Sequence, residues 1–409
     1  MNNPSWLKLR NNFVIRSIGP NYFLVPLKEN PFDIRFINST GKLFWELLHK
    51  RVNLKESIEL VANKYQVDKV IIKKDLINFI KQLSAGENSV FNQNRASIDI
   101  ISKGTKVRIP LKVSFELTGK CNLNCFHCYA YGERKNKDLS TDQVKDLLNQ
   151  LVKIGCIFIN LTGGECTSRS DFVEIYKHIR KVGLIPTIIS NATLIKEEVL
   201  QIFKKYPPYH IKISLYGSTS QTHDSVTRVI GSFQKTVAAA TALKKAGINV
   251  WFGSVIFKET AKDFKNLKLL AKNLGIPIEF YSQLIPTLEK NASPLKHQVD
   301  FKVQQEIKRL NKDIVIPFLN RENIDQEFIG EKFFPCNAGL TSLHLDCSGN
   351  IYLCRTDRVK PISALNKGLA TAWDELGKIR DSKLKIPTGC KNCPIKYNLF
   401  KDINKKIEI

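Results

Sequence analysis

Three cysteines in one short loop are the residues of this sequence best suited to redox chemistry. Cys121, Cys125 and Cys128 stand four and then three residues apart, directly after an apolar run. A four-iron cluster takes four thiolate ligands, so a loop that supplies three leaves one iron open to a small chelating molecule. A zinc site would more often show paired CxxC units or histidines at matching spacing. The pattern therefore favours an iron–sulfur cluster with one open iron over structural zinc or loose thiols.

Strands and helices alternate along the chain from this loop onward. Apolar runs predict strands at 112–117, 157–161, 185–190, 210–215, 249–256 and 277–283, and helical spacing predicts helices at 140–154, 170–182, 196–205, 232–246 and 261–273. Such alternation indicates a parallel sheet, whose functional residues lie at the carboxyl ends of the strands. The cysteine loop has that position.

A CxxxCxxC loop behind the first strand of such a sheet resembles the radical SAM superfamily, in which the open iron binds the amino and carboxylate groups of S-adenosylmethionine. The resemblance implies that Cys121, Cys125 and Cys128 hold a 4Fe-4S cluster. It also implies an α/β fold, a partial (β/α)6 TIM barrel over residues 110–318, with a winged-helix domain before it and a small iron–sulfur domain after it.

Polar residues at later strand ends match the family's cofactor positions. The segment that ends in Glu165 resembles the family's GGE motif, in which glycines let the backbone approach a ligand and the carboxylate can accept a hydrogen bond from the methionine ammonium group. An arginine fork suits the cofactor carboxylate. The resemblance implies cofactor contacts for eight residues, namely His127, Gly163, Gly164, Glu165, Ser190, Asn191, Ser214 and Arg228.

Two positions in and near this set have more than one interpretation. His127 is either an adenine contact or a packed loop residue. Tyr216 replaces the acidic residue more common in the family, so the family's substrate contacts are not carried over there.

A second cysteine group occupies the last quarter of the chain. Cys336, Cys354 and the pair Cys390 and Cys393 resemble a Twitch domain, the shortened relative of SPASM, here over residues 319–409. Four thiolates would complete one auxiliary 4Fe-4S cluster with no open iron. A zinc ribbon on the same cysteines is the alternative.

Three cysteines fall outside both groups. Cys156 lies in an apolar run and is expected in the core. Cys166 follows the GGE segment where the family usually has proline, so it is either a catalytic thiol beside the cofactor or a small tolerated residue. Cys347 is either a spare cysteine or a ligand in place of Cys336.

The first eighty-five residues predict a winged-helix unit. Apolar runs in 13–27, divided by Gly19-Pro20, indicate a hairpin; 34–37 indicates a third strand; helices are expected after the cap at 38–40, at about 54–65 and from about 68. Residues 12–85 resemble the PqqD-like RiPP recognition element. There a leader peptide adds to the edge strand, here that of Phe36 and Ile37, and lies against the third helix. A unit that only packs on the barrel is the alternative, and 86–109 is expected to be a linker.

Composition limits the partners. The 43% hydrophobic fraction is typical of a globular chain, and neither a membrane span nor an export signal is recognisable, which predicts a cytoplasmic protein without membrane contact. The net charge of +25 attracts polyanions. A general lysine bias accounts for most of that charge, so nucleic acid is not an expected partner.

Together these features predict a radical SAM maturase of a ribosomally synthesised peptide. The resemblance implies reductive cleavage of S-adenosylmethionine and abstraction of a hydrogen atom from the precursor, with an intramolecular crosslink as product and a cysteine thioether as the first expectation. The expected cofactors are S-adenosylmethionine and two 4Fe-4S clusters. The expected partners are a precursor peptide bound through its leader and a one-electron donor of the flavodoxin or ferredoxin type.

Other reactions fit parts of the pattern. Peptide epimerisation would use a thiol such as Cys166 as hydrogen donor, although an auxiliary cluster disfavours a redox-neutral outcome. Carbon–carbon crosslinking is a close variant. RNA modification would use the winged helix to grip phosphates, and small-molecule dehydrogenation would leave that unit without a role.

Overall fold

A computed structural model describes residues 13–18, 21–26, 35–50, 52–85, 109–311 and 338–382, without 357 and 359. Its N-terminal unit has the predicted three strands and three helices: β1 (Phe13–Ile18), β2 (Asn21–Pro26), β3 (Arg35–Ile37), α1 (Ser39–His49), α2 (Leu54–Tyr65) and α3 (Lys69–Ala85). The strands form an antiparallel sheet in the order β1-β2-β3, so β3 lies at an edge. Asn38 and Asn53 cap α1 and α2 by accepting hydrogen bonds from backbone N–H groups, as the capping cluster before α1 predicts.

The barrel follows as six parallel strands in chain order. They are β4 (Lys112–Thr118), β5 (Phe158–Gly163), β6 (Ile185–Ser190), β7 (His210–Ser214), β8 (Val250–Val255) and β9 (Ile278–Tyr281). Alternation positions their side chains: on β4, Val113, Phe115 and Leu117 are fully buried in the apolar core, whereas Ser114 and Glu116 point to the opposite face. All six strand predictions are confirmed.

Seven α-helices accompany these strands in the described residues. They are α4 (Thr141–Lys153), α5 (Phe172–Lys181), α6 (Glu197–Lys205), α7 (Ser220–Thr227), α8 (Ser232–Lys245), α9 (Phe264–Asn273) and α10 (Phe301–Leu310). Five of them were predicted. The helices α7 and α10 were not predicted. The cap residue before α7 is Thr219, whose side chain accepts a hydrogen bond from Thr222 N. None of the helices described is long and apolar enough to span a membrane.

The C-terminal segment extends the barrel sheet. β10 (Ser342–Leu345) pairs in parallel with β4, and β11 (Asn350–Tyr352) and β12 (Ile362–Ser363) add antiparallel strands, followed by α11 (Ala364–Lys367) and α12 (Leu369–Ser382). Leu343 and Trp373 belong to the same apolar core as the barrel strands. The predicted boundary between 318 and 319 lies outside the described residues, and the strands beyond it share the barrel's core.

A buried arginine joins the N-terminal unit to the barrel. Arg16 on β1 is 5% exposed. Its guanidinium donates to the carbonyls of Val152 and Cys156 at 3.1 and 2.6 Å and to those of Val182 and Gly183 at 3.3 and 3.4 Å. Carbonyls at the carboxyl ends of helices lack partners and carry partial negative charge. One cation therefore satisfies the ends of both α4 and α5.

Apolar packing places the same unit at one end of the barrel. Phe23 and Val25 on β2 form a buried cluster with Ile157, Ile185 and Tyr209. These three residues lie at the beginnings of β5, β6 and β7. The N-terminal unit therefore covers the amino edge of the sheet, opposite the edge at which the cysteine loop begins.

Replacing Arg16 tests this attachment. We expect Arg16→Met to lower the free energy of unfolding by about 2–4 kcal/mol, because buried carbonyls lose a charged donor. Guanidinium chloride titration followed by circular dichroism measures the change. Lys69→Met is the matched control, since the ion pair of Lys69 with Glu59 is solvent-exposed and contributes little. Equal stability of Arg16→Met and the wild type would contradict the assignment.

Candidate functional site

The cysteine loop begins where β4 ends, and backbone hydrogen bonds hold it against the end of β5. Gly164 N donates to Thr118 O at 2.8 Å, and Glu165 N donates to Lys120 O at 2.8 Å. The GGE segment thus lies directly under the residues that lead into Cys121.

The two glycines allow this close approach. A Cβ on Gly163, which has φ +127°, would lie 2.3 Å from Thr118 O, and one on Gly164 would lie 2.0 Å from Lys120 O. Both distances are shorter than any van der Waals contact. In the structure the glycines therefore serve the packing of two backbone segments, in addition to any approach to a ligand that the sequence suggested.

The carboxylate of Glu165 connects the ends of β5 and β6. It is fully buried. Its Oε1 accepts from Thr167 N, Thr167 Oγ1 and Ser190 Oγ at 3.1, 2.6 and 2.8 Å, and its Oε2 accepts from Asn191 N at 2.7 Å. A buried charge is tolerated only when donors surround it. These bonds fix the end of β6 to the GGE segment.

Asn191 extends the connection to the first cysteine. Its Nδ2 donates to Asn122 Oδ1 at 3.0 Å and lies 3.9 Å from Cys121 Sγ. Its Oδ1 accepts from Thr193 N at 2.9 Å. Ser190 and Asn191, both predicted from the sequence, therefore lie beside the cysteine loop and are held by protein atoms.

Two residues that the sequence analysis missed support the same loop. Asp138 accepts hydrogen bonds from Thr118 Oγ1 at 2.6 Å and Gly119 N at 3.0 Å, and Arg134 donates to Leu123 O at 2.5 Å. Asp138 lies two residues before the helix cap at Ser140, and polar residues are common before a helix. Its type alone therefore did not indicate a contact with the cysteine loop. Its partner is twenty residues away, and no periodicity reports such a contact.

The three thiols lie in one half-buried loop. Burial chiefly raises the pKa of Cys125 to about 12, and Cys121 and Cys128 add to the effect. In the described residues, no three His, Cys, Asp or Glu side chains converge as a single metal ion requires. The thiolates of an iron–sulfur cluster bind different irons and surround the cluster. The loop that carries the three thiols is the one in which the CxxxCxxC spacing predicts a cluster with an open iron.

His127 lies in an aromatic pocket beside this loop. Its ring centroid is 4.6 Å from that of Phe257 and 4.9 Å from that of Tyr216. Burial, with a smaller contribution from His297, lowers the pKa of His127 to about 3, so the imidazole is neutral at physiological pH. Its Nδ1 is buried without a hydrogen-bond partner among the described residues. An unpartnered nitrogen favours contact with a ligand over packing alone.

The ends of β7 and α7 approach the loop from the other side. Ser214 is the last residue of β7 and precedes Tyr216 by two residues. Asn124 N donates to Thr227 O at 2.9 Å, and the guanidinium carbon of Arg228 lies 5.9 Å from the ring centroid of Phe126. Arg228 is exposed and ends α7 with φ 56°. All eight predicted cofactor residues thus gather at the carboxyl edge of the sheet.

The other described cysteines differ from the loop cysteines in burial. Cys156 is fully buried, as predicted. Cys166 is also fully buried among core side chains, and burial raises its pKa well above its ordinary value. Cys347 is fully buried, and Cys354 is half-buried with Sγ 3.4 Å from Thr356 Oγ1. Cys336, Cys390 and Cys393 lie outside the described residues, so the auxiliary cluster stays a prediction.

The barrel and its cysteine loop define a radical SAM architecture, and comparisons with known proteins agree. The family model "Radical SAM superfamily" matches residues 115–271, and the model "Coenzyme PQQ synthesis protein D (PqqD)" matches residues 34–87. The chain therefore contains a radical SAM domain followed by further strands and preceded by a PqqD-like domain. A radical SAM domain implies a 4Fe-4S cluster and S-adenosylmethionine.

Relatives with assigned functions match parts of the chain. An AdoMet-dependent heme synthase of Methanosarcina barkeri is 29% identical over 180 residues, which is 44% of this chain and 52% of the relative. A PqqA peptide cyclase of Rhodopseudomonas palustris is 33% identical over 153 residues, 37% of this chain and 41% of the relative. The match therefore spans about half or less of these two proteins.

A solved structure matches nearly the whole chain. Streptococcus suis SuiB bound to precursor peptide SuiA superimposes with a TM-score of 0.60, covering 94% of this chain and 92% of that one. The sequences are 17% identical, so the likeness shows the fold. It extends to both the N-terminal unit and the strands after the barrel.

The clash at Gly164 gives a direct test of the loop support. We expect Gly164→Ala to lose the iron bound by the cysteine loop, because its Cβ would push against Lys120 O. Iron and sulfide per folded chain after anaerobic reconstitution measure this. Gly247→Ala is the control: nothing lies within 4 Å of its Cβ position, and its positive φ makes the substitution a demanding one for the backbone. Full iron content in Gly164→Ala would refute the proposed support.

Proposed function

We propose that this protein is a radical SAM maturase that crosslinks a ribosomally synthesised precursor peptide. The observation that carries the proposal is the joining of two matched domains in one chain. A PqqD-like unit is attached by Arg16 to a barrel whose opposite edge holds the CxxxCxxC loop. A peptide-binding unit fixed to a radical-generating barrel is suited to a substrate that is itself a peptide.

Residues of the carboxyl edge would hold the cofactors. Cys121, Cys125 and Cys128 are the proposed cluster ligands. When bound, the cluster and S-adenosylmethionine supply an electron and a carbon-centred radical that takes a hydrogen atom from the peptide. Glu165 Oε2 accepts one hydrogen bond from the described residues and keeps a second lone pair, which would accept from the ammonium group if the cofactor displaces the atoms that cover it. The exposed guanidinium of Arg228 suits the cofactor carboxylate.

The aromatic pocket around His127 would exclude water from this region. Phe126, Phe257 and Tyr216 form a buried cluster with Leu284 next to Cys125. A dry site protects a reactive radical from side reactions. A neutral imidazole with a free Nδ1 can exchange one hydrogen bond with the cofactor without placing a charge in this pocket.

The leader of the peptide is proposed to bind β3 and α3. β3 is the edge of the N-terminal sheet, and an extended peptide can add to it by backbone hydrogen bonds. Val70 and Ile77 lie two turns apart on α3, and their side chains are 75% and 42% exposed. Exposed apolar residues on one helical stripe provide pockets for leader side chains.

The product is proposed to be an intramolecular crosslink, with a cysteine thioether as the first candidate. An oxidative crosslink leaves one surplus electron, which an auxiliary cluster on Cys336, Cys354, Cys390 and Cys393 would accept. The protein is proposed to act in the cytoplasm with a flavodoxin or ferredoxin as electron donor. The deep burial of Cys166 makes epimerisation through this thiol less favourable, since a hydrogen donor must reach the substrate.

The heme synthase relative supports a second candidate, modification of a tetrapyrrole. That enzyme matches 44% of this chain, and the match to the PqqA peptide cyclase has similar identity. The PqqD-like domain favours the peptide.

Cluster content and turnover test the proposed function together. Anaerobically reconstituted protein is expected to hold about eight irons per chain, falling to about four in the Cys121→Ala/Cys125→Ala/Cys128→Ala variant. With dithionite and S-adenosylmethionine, the wild type should form 5'-deoxyadenosine and the variant none. A short peptide encoded beside this gene should lose two hydrogen atoms by mass spectrometry.

Other results would redirect the assignment. An unchanged peptide mass with an inverted residue would indicate epimerisation. Turnover of a tetrapyrrole with an unmodified peptide would favour the second candidate. No 5'-deoxyadenosine from protein with a full cluster would contradict radical SAM activity altogether.

Charge substitution on α3 tests leader binding. We expect Val70→Lys/Ile77→Lys to weaken binding of the fluorescently labelled leader by at least about tenfold, because apolar contact area is lost. Fluorescence anisotropy measures the dissociation constant. Leu60→Lys on α2 is the control, since Leu60 is 47% exposed on a different helix. Equal weakening in both variants would place the leader elsewhere.

A further inference from the structure

Three polar side chains meet on the inner face of the barrel sheet, away from the apolar core. Ile213 on β7 and Phe280 on β9 pack in that core with residues of the surrounding helices. Side chains alternate along a strand, so Lys212 of β7 and Glu279 and Tyr281 of β9 point to the inner face. These last three residues are called the inner trio. None of them belongs to the proposed cofactor site.

Direct hydrogen bonds join the members of the inner trio. Lys212 Nζ donates to Glu279 Oε2 and to Tyr281 Oη, both at 2.7 Å. Tyr281 Oη donates to the same Glu279 Oε2 at 2.5 Å. Every pair within the trio is therefore in contact, and the phenol proton is directed at the carboxylate, which can only accept.

Gly253 on β8 allows Lys212 to reach across the sheet. β8 lies between β7 and β9, and Gly253 pairs with Ser214 on one side and with Glu279 on the other. A Cβ on Gly253 would lie 3.1 Å from Lys212 Cδ and 3.6 Å from Tyr281 Cε2. The lysine side chain therefore crosses β8 where that strand carries no side chain.

The three side chains differ in their access to the inside of the barrel. The side chain of Glu279 is 2% exposed, and that of Lys212 is 21% exposed. Tyr281 is half-buried. A molecule inside the barrel can therefore contact Tyr281 or Lys212, whereas it reaches the carboxylate of Glu279 only through them.

Tyr281 lies at the same edge of the sheet as the cysteine loop. It is the last residue of β9, and its carbonyl accepts a hydrogen bond from Ile256 N at 2.8 Å. Ile256 directly precedes Phe257, whose ring centroid is 4.6 Å from that of His127 in the aromatic pocket. The phenol is therefore at the edge of the barrel where the proposed radical forms.

Closing a crosslink releases a proton that needs an acceptor. The carbon radical left by hydrogen abstraction joins the sulfur of a thiol, the S–H bond breaks, and one proton and one electron leave. The electron passes to an oxidised iron–sulfur cluster, which in the proposed function is the auxiliary cluster. A carbon–carbon crosslink releases the same proton and electron. A positioned base that takes such a proton contributes typically about 10²–10⁴-fold to the rate.

We propose that Tyr281 accepts this proton and passes its own hydroxyl proton to Glu279. The O–H bond of Tyr281 breaks as a new one forms with the proton of the substrate, so the phenol is neutral before and after the transfer and Glu279 Oε2 becomes protonated. Lys212 stays protonated and is a positioning residue, because its ammonium group holds both oxygens and stabilises negative charge on Oη during the transfer. Loss of the Glu279 proton to water after product release restores the carboxylate.

This relay rests on the proposed function and adds a proton acceptor to it. Tyr281→Phe tests it by removing one hydroxyl while keeping the ring and the Lys212–Glu279 ion pair. With dithionite, S-adenosylmethionine and the short peptide encoded beside this gene, the variant should form 5'-deoxyadenosine at a rate close to that of the wild type. The crosslinked peptide should fall at least about tenfold, because its proton lacks the acceptor. Mass spectrometry measures the ratio of the two products in one reaction.

A structural hydroxyl provides the matched control. Tyr176 Oη donates to Tyr206 O at 2.8 Å in the core outside the sheet. Tyr176→Phe therefore loses a hydrogen bond without changing the inner face, and it should keep the wild-type ratio of crosslinked peptide to 5'-deoxyadenosine.

Glu279→Gln tests the second transfer, because its amide oxygen still accepts hydrogen bonds but does not hold the proton. This variant should also lower the ratio, and it decides the test if Tyr281→Phe loses iron. In deuterated buffer, unmodified peptide recovered from Tyr281→Phe should contain deuterium, because dithionite reduces the stalled carbon radical and the solvent supplies the deuteron.

The relay and the proposed function can fail separately. A wild-type ratio in either variant would overturn the relay and leave the proposed function in place. A parallel loss of 5'-deoxyadenosine and crosslinked peptide, with full iron content, would assign the trio a structural role and would also overturn the relay. A wild type that forms no 5'-deoxyadenosine would overturn the proposed function, and the relay with it.

Discussion

The placement of one buried carboxylate determines the geometry of the whole site. The backbone of Glu165 hydrogen-bonds to Lys120, directly before Cys121. Its carboxylate hydrogen-bonds to residues at the ends of β5 and β6. A buried carboxylate without donors would cost several kcal/mol, on the order of the stability of a domain. The four donors must therefore assemble around it during folding, and that assembly positions the cysteine loop.

The amino edge of the barrel binds the N-terminal unit, whereas the carboxyl edge carries the candidate site. The amino edge carries apolar residues and helix-end carbonyls, and both are covered by β1 and β2 with Arg16 at the centre. The carboxyl edge carries the glycines, the thiols and the aromatic pocket. Since the proposed leader site and the proposed radical site lie at opposite ends, a bound peptide must pass along or around the barrel. A spacer between leader and modified residues would be needed to cover the height of the strands.

The sequence predicted the elements well because their signals are local. Buried alternation on β4 and the cap before α1 are visible within a few residues. Contacts between distant segments had no such signal: Arg16 reads as an ordinary strand residue, and its four carbonyl partners are more than a hundred residues away. β10 was missed because four residues ending in Leu345 are too short to stand out.

A buried ion pair also joins the strand before the cysteine loop to the segment that contains Cys354. β4 leads into the cysteine loop, and its Glu116 is bound by Arg358, four residues after Cys354. Separating this buried pair would leave an uncompensated charge, which costs about 3–5 kcal/mol. The segment with Cys354 and Arg355 is therefore held over β4 at a fixed distance from the loop. Strand pairing of β10 with β4 holds the same two segments together.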